Sequence, residues 1–176
     1  MKRILLTSFA LLASGIFFFT NAQNPEEKIK ELGLSIPEVS QPIANYVKWR
    51  QVGNMLYLAG SGPNVFGKIG SDLSKEQGHD AARETGLGII AVLKTATGDL
   101  NRVKQFVKVL GMVNSTPDFT AHPAVINGFS DLMVEVFGEK GKHARSAVGV
   151  GSLPNNMAVE IEVIVELVDD KQHPLQ

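Results

Sequence analysis

The sequence predicts a single α+β domain in which one five-stranded sheet carries two long helices on one face. Three observations lead to this class. Apolar and polar residues alternate strictly in the last strand, two central segments have helical spacing, and Gly or Pro separates the segments. The predicted order is ββαβαββ, with a hairpin at each end of the chain.

The first 22 residues are typical of a secretory signal peptide. Lys2 and Arg3 precede the mostly apolar stretch Ile4–Phe19, and cleavage is expected after Ala22. The alternative is an uncleaved anchor, although the apolar stretch is short for one. Cleavage would leave 23–176 as one domain, periplasmic or secreted, with no membrane attachment.

Composition narrows the possible functions. Removing Lys2 and Arg3 lowers the formal charge from −1 to −3, so we expect no nucleic-acid partner on electrostatic grounds. The chain has no cysteine, which excludes disulfides. His79, His122 and His173 lack the spacing of a zinc motif, so no metal site is expected.

The mature chain begins with a charged leader in which residues 26–32 could form a short helix. Residues 46–52 and 55–59 follow as two strands. The Gly53–Asn54 dipeptide between them predicts a tight hairpin turn.

The first long helix begins at Ser74, since Gln77 completes a capping box three residues later. Gly98 is expected to end this helix. Gly86 and Gly88 reduce helix propensity, and we expect them to allow close packing on the sheet.

A long strand is predicted over residues 103–113. One predicted face carries Val103, Val107, Val109 and Val113, and the other carries Phe106, Leu110 and Met112. Because one layer of helices covers only one face, the other is predicted to meet a second subunit.

The second helix is predicted from apolar spacing over residues 125–136, with its end at Gly138. Two strands at 144–150 and 158–167 complete the domain. A turn at 151–154 predicts that they pair antiparallel.

That pairing would set Arg145 roughly opposite Glu160, on the sheet face turned away from the helices. An arginine fork binds a planar carboxylate through two parallel hydrogen bonds. A nearby glutamate can hold water or move a proton. The sequence therefore predicts a site for a small carboxylate-bearing molecule at a subunit interface.

The same residues resemble a known family. Residues 145–148, 153–154 and 159–162 resemble the C-terminal signature of the RidA/YjgF family, and residues 53–60 resemble its first hairpin. The resemblance extends from about Pro42 to Glu166 and is closest to a less characterised, exported branch.

The resemblance implies a chorismate-mutase-like fold and a homotrimer with sites between subunits. It also implies cofactor-free hydrolysis of reactive enamines and imines of 2-amino acids, which gives 2-keto acids and ammonia. Arg145 would bind the substrate carboxylate, and Glu160 would position the hydrolytic water.

Four further residues complete the candidate site. The resemblance implies that Tyr46 in the first strand and Asn127 in the second helix contact the substrate. The alternatives are that Tyr46 packs at the subunit interface and that Asn127 is only a polar residue on a helix face. In the expected mechanism, backbone groups near Ala147 could contact the imine. His143 is either an acid/base group or a structural histidine. The serine often found before the hairpin glycine is here Ala59.

Two other functions stay open at this level. The chain could be a non-catalytic trimeric protein that binds small carboxylates. It could also be an RNA-cleaving protein, an activity sometimes attached to this family, although the acidic charge and the export signal count against RNA.

Overall fold

The computed structural model of the chain describes residues 23–42 and 44–169, so the predicted signal peptide lies outside the described residues. The helices and strands are α1 (Pro25–Glu31), β1 (Trp49–Val52), β2 (Met55–Ser61), α2 (Lys75–Thr97), β3 (Val103–Asn114), α3 (His122–Phe137), β4 (Ala144–Val150) and β5 (Val159–Leu167). In these two ranges no helix combines the length and apolarity needed to span a membrane.

The five strands form one sheet in the order β1-β2-β5-β3-β4. The predicted first hairpin is confirmed, because β1 and β2 pair antiparallel with Val52 opposite Met55. Gly53 in the turn has φ of 59°, a left-handed conformation that favours glycine.

The predicted C-terminal hairpin is wrong. Strand β4 pairs in parallel with β3, whereas β5 pairs antiparallel with β3 on its other side. A strand–helix–strand crossover through α3 brings β3 and β4 together as parallel neighbours. The chain then passes the end of β3 through Asn155 and Asn156, whose φ angles of 52° and 59° are left-handed.

The alternation predicted for β5 is confirmed. Its core-facing residues are 2 % exposed or less. These residues are Val159, Ile161, Val163, Val165 and Leu167. Helices α2 and α3 cover this face, and we call the opposite side, which carries Glu160, Glu162, Ile164 and Glu166, the open face.

Strand β3 contains an irregularity that sequence alternation did not predict. Its register with β5 shifts between Phe106 and Lys108. The shift turns Phe106 into the core, where its ring meets that of Phe137 edge-on at 5.0 Å between ring centroids, and leaves Val107 half-buried. The predicted face assignment of Phe106 and Val107 is therefore wrong, whereas Val109 lies in the core as expected.

The predicted ends of α2 are confirmed. Ser74 accepts a hydrogen bond from the Gln77 backbone at 3.1 Å, and the Gln77 side chain accepts one from the Ser74 backbone at 2.8 Å. Gly98 ends the helix with φ of 74°.

The glycines of α2 do not pack on the sheet as predicted. A Cβ on Gly86 would meet the Leu132 side chain of α3 at 2.8 Å, and one on Gly88 would meet nothing within 4 Å. The helices also approach closely at Gly128, where an added Cβ would overlap the backbone carbonyl of His79. Small residues therefore set the distance between the helices.

Candidate functional site

Arg145 lies on the edge strand β4 and turns toward α3. It pairs with the buried Val109, so its side chain lies on the helix-covered face of the sheet. Its Nη1 donates hydrogen bonds of 2.9 Å to Asn127 Oδ1 and to Ser130 Oγ. Within residues 23–42 and 44–169, neither Nε nor Nη2 of Arg145 has a hydrogen-bond partner, which leaves that edge of the guanidinium for a ligand.

His143 immediately precedes β4 and contacts the same serine. Its Nδ1 lies 2.7 Å from the Gly141 carbonyl, and its Nε2 lies 3.0 Å from Ser130 Oγ. Burial lowers the pKa of His143, and the Arg145 charge adds to this effect, against an upward contribution from the Gly141 hydrogen bond. A neutral ring with its proton on Nδ1 satisfies both contacts, because a carbonyl can only accept.

Glu160 is half-buried on the open face. Its carboxylate lies against Gly60, where any Cβ would overlap Oε1. Burial raises the pKa of Glu160, and the neighbouring Glu162 charge raises it further. Among the described residues its carboxylate has no hydrogen-bond partner, so it is free to contact water or a substrate.

Glu166 also lies on the open face, but its carboxylate is hydrogen-bonded to other side chains. Its carboxylate accepts hydrogen bonds from Lys104 at 2.8 Å, Gln105 at 2.7 Å and Asn54 at 2.9 Å. The Lys104 contact contributes most to lowering the pKa of Glu166. Of the two carboxylates, only that of Glu160 combines partial burial with a raised pKa, as a general base requires.

Arg145 and Glu160 do not meet in one chain, so their predicted pairing is wrong. Arg145 is level with Val109 of β3, whereas Glu160 is level with Met112. This register sets their Cα atoms about 14 Å apart, with β3 between them. Their side chains also lie on opposite faces of the sheet, so the two residues lie in separate places on one chain.

Tyr46 precedes the first strand, which begins at Trp49 and not at residue 46 as predicted. The Tyr46 side chain is 46 % exposed. Two residues later, the Lys48 carbonyl accepts a 3.0 Å hydrogen bond from the Ala59 backbone. This contact extends the pairing of β1 and β2 by one residue and keeps the segment that carries Tyr46 near the end of β2 that leads to Gly60.

Asn127 and Ala147 belong to the Arg145 side. Asn127 accepts a hydrogen bond from Arg145. Ala147 lies on β4 two residues after Arg145 and packs partly against the core. Ser130 was not predicted. It lies three residues after Asn127 on the same face of α3, and that spacing is the signal that could have identified it.

One cavity and the possible metal ligands were further candidates, and neither adds to the surroundings of Arg145 or Glu160. A cavity of about 630 Å³ lies between the leader, β1 and α2, at the opposite edge of the sheet from β4, and is lined by residues 38–42, 47–49 and 95. In the part of the chain that the structure describes, no group of three or more His, Asp or Glu side chains is arranged to hold a metal ion.

Comparison with known proteins places this geometry in a family. Residues 26–167 match the family described as "YjgF/chorismate_mutase-like, putative endoribonuclease". The chain is 41% identical to Protein TCP17 of Trypanosoma cruzi over 79% of its length and 91% of that protein. It is 35% identical to the 2-iminobutanoate/2-iminopropanoate deaminase of Dermatophagoides farinae over 75% of its length and 93% of that protein.

A solved structure extends the likeness to the fold. The protein Atu1372 from Agrobacterium tumefaciens is 40% identical, with a TM-score of 0.76 over 82% of this chain and 92% of that one. The predicted α+β fold and the resemblance to RidA/YjgF proteins are both confirmed. This chain belongs to the YjgF/chorismate mutase-like family.

Proposed function

We propose that the protein hydrolyses small reactive imines and enamines of 2-amino acids to 2-keto acids and ammonia. The observation that carries this proposal is the unpaired Nε–Nη2 edge of Arg145, because that edge matches the geometry of a substrate carboxylate. The likeness to a protein named 2-iminobutanoate/2-iminopropanoate deaminase supports the same substrate class.

The complete site requires two protomers. Arg145, Asn127 and His143 lie at the β4 edge, on the helix-covered side of the sheet. Glu160 lies on the open face, and Tyr46 lies near the end of β2 that leads to Gly60. A homotrimer would bring the first set of one protomer against the second set of its neighbour. The same contact would cover the open face, which the single layer of helices leaves exposed.

The open face has the composition of an interface between copies of this chain. Tyr57 and Val148 on this face are 44 % and 41 % exposed, which is unusual for large apolar side chains on a sheet. Leu110, Met112 and Ile164 lie between them and are only half-buried. Burying this surface against a neighbouring protomer would supply the hydrophobic stabilisation of the assembly.

The proposed reaction uses side chains and water, and no cofactor. Arg145 binds the carboxylate of the protonated imine. Glu160 of the neighbouring protomer accepts a proton as water oxygen bonds to the imine carbon. Glu160 then returns this proton to the nitrogen of the carbinolamine and takes up the hydroxyl proton as the C=O bond of the keto acid forms and the C–N bond breaks. Glu160 passes that last proton to the departing ammonia, which is released as ammonium, and the carboxylate is ready for the next cycle. A positioned general base accelerates the proton transfer by roughly 10²–10⁴-fold, and orienting the substrate adds to this rate gain.

RNA cleavage, which the family description also names, is less well supported. A surface that binds RNA neutralises phosphates with Lys or Arg. On the open face, Glu160, Glu162 and Glu166 stand beside Arg50, Lys104 and Lys108, so this face has no excess of positive charge. Together with the proposed export to the periplasm or exterior, this charge favours a small-molecule substrate.

A mixing experiment tests the two-protomer site. Arg145→Ala and Glu160→Gln homo-oligomers should each be inactive in ammonia release from an imine generated enzymatically in the assay. After joint unfolding and refolding at equal amounts, about one quarter of the sites should regain both groups, with activity returning to that level. Refolding either variant alone serves as the control.

Two results would count against the proposal. A mixture that stays inactive, although both variants assemble, would remove the shared site. Full activity in the Arg145→Ala variant would remove the role of Arg145. Binding of a 2-keto acid without any turnover by the wild-type protein would instead favour the non-catalytic carboxylate binder.

A further inference from the structure

Two residues beyond the proposed reacting groups determine how Arg145 is presented. We propose that Ser130 and His143 are positioning residues that fix the Arg145 guanidinium with Nη1 toward α3 and its Nε–Nη2 edge toward the ligand. This inference deepens the proposed function and rests on it for the identity of the ligand as a carboxylate.

The direction of each hydrogen bond along this chain of contacts is determined. Arg145 Nη1 can only donate, so Ser130 Oγ accepts at 2.9 Å. The Gly141 carbonyl can only accept, so His143 Nδ1 donates at 2.7 Å. With the ring neutral, as its lowered pKa favours, Nε2 carries no hydrogen, so the Ser130 hydroxyl donates to it across the remaining 3.0 Å contact. Every group in the sequence Arg145–Ser130–His143–Gly141 has one compatible role.

The surroundings of His143 keep it in the neutral form that this chain needs. The rings of Phe106 and Phe129 lie 6.4 and 5.8 Å from the imidazole, centroid to centroid. Arg145 is the charged group that acts on the ring electrostatically, and its charge disfavours protonation. A protonated Nε2 would have to donate to Ser130, and the serine hydrogen would lose its acceptor.

This chain makes His143 distinct from an acid/base catalyst. Both ring nitrogens of His143 are engaged by protein groups, so neither faces the space beside the free edge of Arg145. Its effect on a substrate must pass through Ser130 and then Arg145. The expected consequence is on carboxylate affinity, in contrast to the proton-transfer step that Glu160 performs.

The binding test uses pyruvate and 2-oxobutanoate, with calorimetric Kd values at constant protein concentration. Ser130→Ala and His143→Ala should each raise Kd about tenfold, which is the typical effect of losing a hydrogen bond to a charged group. Ser130→Thr keeps the hydroxyl and should restore most of the affinity. Asp131→Ala, at an exposed neighbour on α3, is the matched control and should leave Kd unchanged.

A double-mutant cycle separates positioning from general damage. In an Arg145→Ala background, Ser130→Ala should have no further effect on Kd, and the Ser130→Ala/His143→Ala double variant should resemble either single variant. In steady-state kinetics the single variants should raise KM more than they lower kcat. Additive losses, or equal Kd for wild type and Ser130→Ala, would overturn the positioning role.

A crystal structure of the Ser130→Ala variant keeps the inference testable even without ligand binding. If wild-type protein binds neither keto acid, the proposed function fails, whereas the positioning role is still decided by the guanidinium. Rotation of the Arg145 guanidinium away from Asn127 in this variant would support the inference. A guanidinium that stays in place would overturn it, whatever the substrate of the protein.

Discussion

The carboxylate of Glu160 occupies the space that a side chain at position 60 would need. Gly60 sits at the irregular end of β2, where the register with β5 shifts between Leu58 and Ser61. The fold therefore places Gly60 and Glu160 in contact although they are far apart in sequence. The absence of a Cβ at position 60 leaves room for the Glu160 carboxylate against the strand.

Replacing Gly60 by Ala should reduce activity without unfolding the protein. The new methyl group would displace only the end of a flexible side chain, so stability should change little. The shifted general base should lower kcat/KM about a hundredfold, as misplacements near 1 Å do. Gly151→Ala, which meets nothing within 4 Å, is the control. Unchanged kcat/KM in Gly60→Ala would argue against catalysis by Glu160.

The pH profile of activity should report the environment of Glu160. A base must be ionised, so activity should fall as pH decreases through the raised pKa of Glu160. Glu162→Gln removes one of the two causes of that rise, and the acidic limb of kcat/KM should therefore move to lower pH. The burial contribution remains, so the shift should be partial. A limb that does not move would mean that another group controls it.

Stability should depend on His143 over a defined pH range. Its pKa is lowered in the folded protein from the model-compound value of 6.5, so the unfolded chain binds the proton more readily. Stability should therefore fall as pH decreases from above 6.5 toward the folded pKa. Urea unfolding of wild type and His143→Asn between pH 7.5 and 5.5 checks this, with a smaller decrease expected for the variant. Parallel decreases would contradict the assignment.

The contact between α2 and α3 should tolerate no side chain at Gly128. A Cβ there would overlap the His79 carbonyl, which belongs to a helix backbone and cannot move aside. Gly128→Ala should destabilise the protein by about 1–3 kcal/mol, as overpacking does. Gly88→Ala meets open space within α2 and should instead stabilise by about 0.5–1 kcal/mol. Thermal unfolding of both variants compares the two positions directly, and equal midpoints would contradict this packing.

Local structure was predictable because its causes are local. The capping box at Ser74 and the turn at Gly53 are specified by residues within one or two turns of chain. The alternation of β5 predicted its buried face, because successive side chains of a strand point to opposite faces and only one of these faces is apolar throughout.

The position of β4 was not predictable in the same way. A short connection between two strands favours a hairpin, but β4 instead joins β3 because α3 links them by a parallel crossover. The register shift near Phe106 likewise has no sequence signal, because an inserted residue changes the phase without changing the composition.

The candidate site residues were named from the sequence, and their roles stay predictions, whereas their arrangement was not predicted. The family motif identified Arg145, Asn127 and Glu160, and the structure shows which of them are in contact. The assignment of Arg145 and Glu160 to one face followed from the wrong pairing of β4. The three-residue spacing from Asn127 put Ser130 on the same face of α3, but it was missed because the sequence does not show that Arg145 and His143 lie beside that face.

Arg145 stands on a strand that has a neighbour on one side only. Half of the β4 amides point away from β3, and in a free protomer these hydrogens would exchange with solvent rapidly. If a second protomer covers this edge, slowed deuterium uptake along β4 would measure assembly at the strand that carries Arg145, the residue proposed to bind the substrate. Dilution that separates the protomers would then abolish turnover and protection at the same concentration.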